Sequence, residues 1–227
     1  MAIFRVREVE GMRQLSIDIT DETVRASYGA LSNMNGTIRF TPRLPEFGDV
    51  VRAVFNRESR IRPYYEGTGS INLQPSLRGF HVFEVCPGER WVLEPGAYWA
   101  SEGGVELGVT KEPFWASLWA GDGLFAWKTT MIGGGQAAVN APGPVEVIEV
   151  EDGEISVQGR LVIGRTSGLK FRSKRAAPFP RSLISGQDRL RVYEGSGRVL
   201  VSWTPYWNQH LYQRMTDEDD VEGILFQ

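Results

Sequence analysis

Apolar and polar residues alternate along most of this chain in short runs. Ser16-Ile-Asp-Ile-Thr20, Gly36-Thr-Ile-Arg-Phe40, Gly69-Ser-Ile-Asn-Leu73, Val145-Glu-Val-Ile-Glu-Val150 and Gly197-Arg-Val-Leu-Val-Ser-Trp203 are rich in β-branched or aromatic residues and mostly of period two. Period two places every second side chain on one face, so each run predicts a half-buried strand. Between the runs fall 26 Gly and 12 Pro, which punctuate short strands. Helical spacing is confined to two places. Asp49 is suited to cap a short helix over 49–55, with Val50, Val51, Val54 and Phe55 on one face, and Pro113 suits the first turn of another over 113–119. There Trp115, Leu118 and Trp119 read as core residues. The pattern predicts an all-β chain with short connecting helices.

The runs also repeat. An alternating strand entering an acidic turn occurs at Leu15-Ser-Ile-Asp-Ile-Thr-Asp-Glu22, at His81-Val-Phe-Glu-Val-Cys-Pro-Gly-Glu89 and at Val147-Ile-Glu-Val-Glu-Asp-Gly-Glu154. A second strip follows each turn, starting at Tyr28, Pro95 and Gly159. The third strip is a glycine turn feeding a strand: Tyr65-Glu-Gly-Thr-Gly-Ser-Ile71, Met131-Ile-Gly-Gly-Gly-Gln-Ala137 and Tyr193-Glu-Gly-Ser-Gly-Arg-Val199. Near-equal intervals separate Gly67, Gly133 and Gly195, which predicts three internal repeats of one β unit. A phosphate-binding glycine loop opens a helix, whereas each of these pairs opens a strand, so a hairpin or bulge explains them. The predicted organisation is a single β domain over 1–216 followed by an acidic tail over 217–227, where Asp217-Glu-Asp-Asp-Val-Glu222 concentrates five acids.

Composition narrows the chemistry. With 25 Lys plus Arg against 28 Asp plus Glu, the net charge of −3 gives no overall attraction to nucleic acid. The longest apolar runs, such as Ala97–Ala100, are far short of the ~20 residues of a membrane-spanning helix, so no transmembrane segment is expected. The alternating start lacks an apolar signal core, and a cytoplasmic location is expected. A lone cysteine, Cys86, forms no internal disulfide and is read as buried and structural. Two histidines, His81 and His210, assemble no three-His site, and His81 is read as an outward strand residue. Neither a metal nor another cofactor is expected, and no catalytic residues are assigned. Glu89 and Glu154 stand at equivalent turns of the repeat, which favours a turn role over an acid–base pair, since that chemistry needs two different environments.

The strip Glu84-Val-Cys-Pro-Gly-Glu-Arg-Trp-Val-Leu-Glu-Pro-Gly-Ala-Tyr-Trp-Ala-Ser101, then Ala120-Gly-Asp-Gly-Leu-Phe125, and the closing Gly195-Ser-Gly-Arg-Val-Leu-Val-Ser-Trp-Thr-Pro205 resemble the altered-inheritance-of-mitochondria protein twenty-four family, in its bacterial and archaeal branch. That branch is grouped structurally with the trp RNA-binding attenuation protein (TRAP-like). The resemblance covers about residues 14 to 208. It implies a double-stranded β-helix type of β fold with three internal repeats, and it implies no reaction. The chain departs from the family pattern at Asp21-Glu22, where the family prefers Gly-Glu, and in its acidic tail.

Two clusters are candidate binding residues. Arg165, Lys170, Arg172, Lys174 and Arg175 belong to a basic stretch over 160–191 that meets a single acid, Asp188, and suits an RNA or an anionic membrane surface. Trp203, Tyr206 and Trp207 follow the last strand, where an aromatic cluster covers a sheet edge or makes an oligomer contact. The sequence therefore predicts a non-enzymatic binding or scaffolding protein, self-associating as a homo-oligomer. The alternatives are a binder of nucleic acid or an anionic surface through the basic stretch, and an enzyme of unknown type. The acidic tail is expected to compete with an external polyanion for the basic stretch.

Overall fold

A computed structural model describes residues 2–42, 62–75, 79–111, 127–158, 161–176 and 189–203, without the side chains of Lys111, Trp127 and Arg189. The expected helices over 49–55 and 113–119, Tyr206, Trp207 and the acidic tail lie outside the described residues. Every strand read from period two is present. In chain order they are β1 (Ile3–Val9), β2 (Met12–Ala26), β3 (Leu31–Thr41), β4 (Tyr64–Leu73), β5 (Gly79–Val85), β6 (Arg90–Leu93), β7 (Tyr98–Glu102), β8 (Val105–Lys111), β9 (Trp127–Gly133), β10 (Gly135–Ala141), β11 (Val145–Gln158), β12 (Val162–Thr166), β13 (Lys170–Arg175) and β14 (Arg189–Ser202).

Among the described residues these form two seven-stranded antiparallel sheets. The first runs β3-β4-β2-β7-β10-β5 with β1 added to β2, and the second runs β11-β14-β12-β6-β9-β8 with β13 added to β14. Neither path closes on itself into a barrel. The strands between Gly79 and Ala141 are divided: β5, β7 and β10 lie in the first sheet, while β6, β8 and β9 lie in the second. This stretch of chain therefore joins the sheets. The crossings fall at the turns 86–89 and 94–97, at Gly103-Gly104 and at Gly134.

The glycine pairs explain how the strands bend. Gly67 and Gly69 have φ of 133° and 153°, Gly133 and Gly135 have 116° and 142°, and Gly195 and Gly197 have 121° and 159°. A side chain is strained in this region. At Gly67 a Cβ would also meet the carbonyl oxygen of Thr37 on β3. Where the residue between the glycines carries a hydroxyl, the strand continues through the pair. Thr68 Oγ1 accepts from the Asp21 amide at 3.0 Å and Ser196 Oγ accepts from the Asp152 amide at 3.0 Å. Asp21 and Asp152 hold φ of 52° and 45°, at the bulges of β2 against β4 and of β11 against β14. Gly134 has no hydroxyl to offer, and there the chain passes from one sheet to the other.

The inward positions fill three apolar clusters. Tyr65, Met131 and Tyr193, each two residues before the first glycine of its pair, are buried, as are Ile71, Ala137 and Val199 on the far side of the pair. Among the described residues Trp91 is the largest fully buried side chain, and it meets Phe83 edge-on at 5.0 Å between ring centres. Fully burying a side chain of this kind contributes about 1.5–3 kcal/mol, which is why the period-two pattern fixes the register.

Candidate functional site

Among its described residues the basic stretch does not form one continuous cationic face. Arg165, at the end of β12, is half-buried and donates from Nη1 to the Leu169 carbonyl at 2.9 Å, bracing the turn into β13. Arg191 on β14 is buried, and its Nη1 donates to Glu94 Oε1 at 2.6 Å. Arg172 donates to Glu154 and lies 3.8 Å from Glu194. Lys170, Lys174 and Arg175 are exposed on β13, with Lys170 opposite Glu194 in register. In the aromatic cluster, Trp203 is exposed and its indole N–H donates to Glu146 Oε2 at 2.8 Å. The structure therefore brings Lys170, Arg172, Lys174 and Arg175 together on one strand, and it turns Arg165 inward.

Three sequence readings need correction. Cys86 is exposed instead of buried, because it stands at the start of the turn 86–89, beyond the last pair of β5. Its Sγ accepts from Arg198 Nη2 at 3.7 Å, a basic neighbour more than a hundred residues away in sequence. His81 is half-buried, not outward: it stacks on Phe83 at 6.1 Å between ring centres, and its Nε2 is enclosed without a hydrogen-bond partner. Burial holds its pKa below the ordinary histidine value. Glu89 and Glu154 are one register position apart. Glu154 opposes Glu194, the place that Arg90 holds against Ile132.

Two ionic clasps escaped sequence reading. In the first, Arg198 Nε donates to Glu89 Oε1 at 3.0 Å, Arg198 Nη2 donates to Glu89 Oε2, and the Trp91 indole N–H donates to Oε2 at 2.9 Å. Burial raises the Glu89 carboxyl, but the hydrogen bonds from Arg198, the Cys86 amide and Trp91 outweigh it and hold the group below the usual range. In the second, Lys128 Nζ and Arg191 Nη1 meet at Glu94 Oε1, at 2.7 and 2.6 Å, with the Phe171 ring 5.9 Å from each cation. A signal for Lys128 was present. It stands five residues before Gly133, as Arg62 stands before Gly67. Arg62 lies over the Tyr98 ring at 4.6 Å and donates to Thr129 Oγ1 at 2.8 Å.

The concave surface lies elsewhere. An open cleft of about 730 Å³ is lined by Asp21, Glu22, Glu66, Glu102, Arg25 and Tyr64 among others, and a neighbouring one shares Asp21 and Glu66 with it. Its rim is acidic, and it shares no residue with β13. Among the described residues no group of three or more His, Cys, Asp or Glu side chains is placed to hold a metal ion. No helix there is long and apolar enough to cross a membrane.

Comparison with known proteins agrees with this architecture. A crystal structure of a protein from Streptococcus pyogenes has the same fold, with a TM-score of 0.69 at 16% identity over 95% of this chain and 100% of that one. An uncharacterized protein of Streptococcus pyogenes serotype M6 is 22% identical over 157 residues, which is 68% of this chain and 62% of that protein's length. The family model described as Mitochondrial biogenesis AIM24 matches residues 4–202, nearly the whole of the two sheets, and the chain belongs to that family.

Proposed function

We propose that this chain is a non-enzymatic binding or scaffolding module built of three repeats of one antiparallel three-strand unit. The first unit is β2, β3 and β4; the second is β5 to β10, with each strand divided by a turn; the third is β11 to β14. In each, the third strip pairs with both others, as β4 does with β2 and β3 and β14 does with β11, β12 and β13. The observation that carries the functional reading is where the enclosed charges point. Arg198–Glu89 and Lys128–Glu94–Arg191 tie the third unit to the second and are used up in holding units together. Reactive groups in an active site instead converge on a substrate-sized space. The test is a turnover screen on the purified full chain with esters, phosphoesters, peptides and metal-dependent oxidations; robust hydrolase or oxygenase activity overturns the reading.

A second reading has its own support in Lys170, Lys174 and Arg175, three exposed cations on one strand. At ~1 kcal/mol per cation near an anionic membrane, three of them change affinity by about two orders of magnitude. Reversing all three to glutamate should abolish sedimentation with phosphatidylserine vesicles at low salt. Unchanged sedimentation removes this reading and leaves the scaffolding one in place.

A further inference from the structure

The two joints between units share one register, and β11 and β3 carry the two halves of a third. At the first joint β2 meets β7: Gly103 donates to the Thr23 carbonyl at 2.7 Å, Ser27 donates to the Trp99 carbonyl at 2.8 Å, and between them Val24, Arg25 and Ala26 oppose Glu102, Ser101 and Ala100. At the second joint β6 meets β12: Ser167 donates to the Arg90 carbonyl at 2.8 Å, Glu94 donates to the Ile163 carbonyl at 2.8 Å, and Trp91, Val92 and Leu93 oppose Thr166, Arg165 and Gly164. The same register picks out Glu154–Gln158 on β11 and Ser32–Gly36 on β3 as the two strips of a third joint. The shared bulges fix this alignment. The ladder slips at Ser32, at Trp99 and at Ile163, each time one residue before a renewed pair.

Among the described residues β11 pairs only with β14 and β3 pairs only with β4, at opposite ends of the two sheets. The matching positions at the joints are covered: Ala100 and Ser101 are fully buried, whereas Asn33 and Met34 are exposed. Exposed edges in soluble proteins are normally blunted by proline, lysine or charge. Leu31-Ser-Asn-Met-Asn-Gly36 carries none of these. We infer that residues 154–158 of one copy pair with residues 32–36 of a second copy of this chain, in the register of the internal joints. Gln158 then donates to the Ser32 carbonyl of the next copy and Gly36 of that copy donates to the Glu154 carbonyl, with Ile155, Ser156 and Val157 opposite Asn35, Met34 and Asn33. The contact is head-to-tail, so it closes into a ring or continues as a filament. It rests on the three-unit reading above, which is tested separately by whether residues 12–73, 79–141 and 145–202 superpose in an experimental structure.

The backbone of Ser156, by its place in the register, points away from β14, as does that of Met34 away from β4, so proline there removes only an outward donor. The experiment measures mass in solution by light scattering for the full chain, Ser156→Pro and Met34→Pro at micromolar concentration, with circular dichroism to confirm folding. The wild type should exceed one chain mass at least twofold, and each variant should fall to one. An equimolar mixture of the two variants should form a dimer and nothing larger, since each still has one intact edge. Should either proline variant misfold, Ser156→Lys and Met34→Lys take their place with the same expectation. A monomeric wild type, or assemblies that persist in both variants, overturns the proposal.

Discussion

Alanine at the first glycine of each pair should cost stability in a graded order set by the neighbouring carbonyl. At Gly67, with φ of 133°, a Cβ falls on the Thr37 carbonyl oxygen of β3; at Gly133 it comes 2.7 Å from the Gly104 oxygen, and at Gly195 3.2 Å from the Gly168 oxygen. The backbone region alone costs about 1–3 kcal/mol for a residue with a side chain. Lower chain entropy in the unfolded state returns about 0.4–1 kcal/mol. At Gly67 the clash must also push β3 off β4, so the net loss is about 3 kcal/mol or more. Gly11 is the control, because it has a positive φ of 79° and nothing within 4 Å of the added atom, and there the net loss is about 1 kcal/mol. At about 2–4 °C per kcal/mol for a domain of this size, Gly67→Ala should lower Tm by about 6–12 °C and Gly11→Ala by about 2–4 °C. Thermal melts followed by circular dichroism give both numbers. Equal shifts for Gly67→Ala and Gly11→Ala, or a larger loss at Gly195 than at Gly67, would refute the steric argument.

Removing Arg198 leaves Glu89 enclosed with only the Trp91 and Cys86 donors, so Arg198→Ala should cost about 2–3 kcal/mol in urea unfolding, and adding Glu89→Gln should recover part of it. The unfolded chain takes up the His81 proton near pH 6.5, while the buried ring takes it up only at lower pH. Stability contributed above about pH 6.5 is therefore lost as pH falls toward the folded value, and His81→Phe should flatten urea midpoints between about pH 7 and pH 5.5. Tyr98→Phe removes a hydroxyl that bonds Ser101 Oγ at 3.1 Å inside the protein, and the same unfolding assay should show a loss of about 1 kcal/mol.

What the sequence made legible were the local regularities. Alternation marks the strands because one face of each meets the core, and the glycine spacing marks the bends because only glycine fits where β3 lies against β4 at Gly67. The division of β5 to β10 between two sheets was hidden, since turns that fold back and turns that cross over use the same residues. The candidate site was less legible still. Arg165 and Arg191 read as surface charges by density, yet their partners Leu169 and Glu94 turn them inward, and the sequence separation of 97 between Arg191 and Glu94 puts that pair beyond any local pattern. Cys86 and Arg198 meet for the same reason, across a contact that only the pairing of strands distant in the chain creates.

The pairing of β2 with β4 and of β11 with β14 sets a clock on synthesis. β2 begins at Met12 and β4, which completes its ladder, ends at Leu73; β11 begins at Val145 and β14 ends at Ser202. A ribosome adding ~5–20 residues per second needs about 3–12 s to cover each such interval of about 60 residues. For that time an alternating strand waits with its apolar face open and its partner not yet made. The nascent chain thus passes through successive windows of vulnerability, one per ladder. Slow codons placed after Leu73 or Ala141 would give each ladder time to close before the next strand emerges to compete for it.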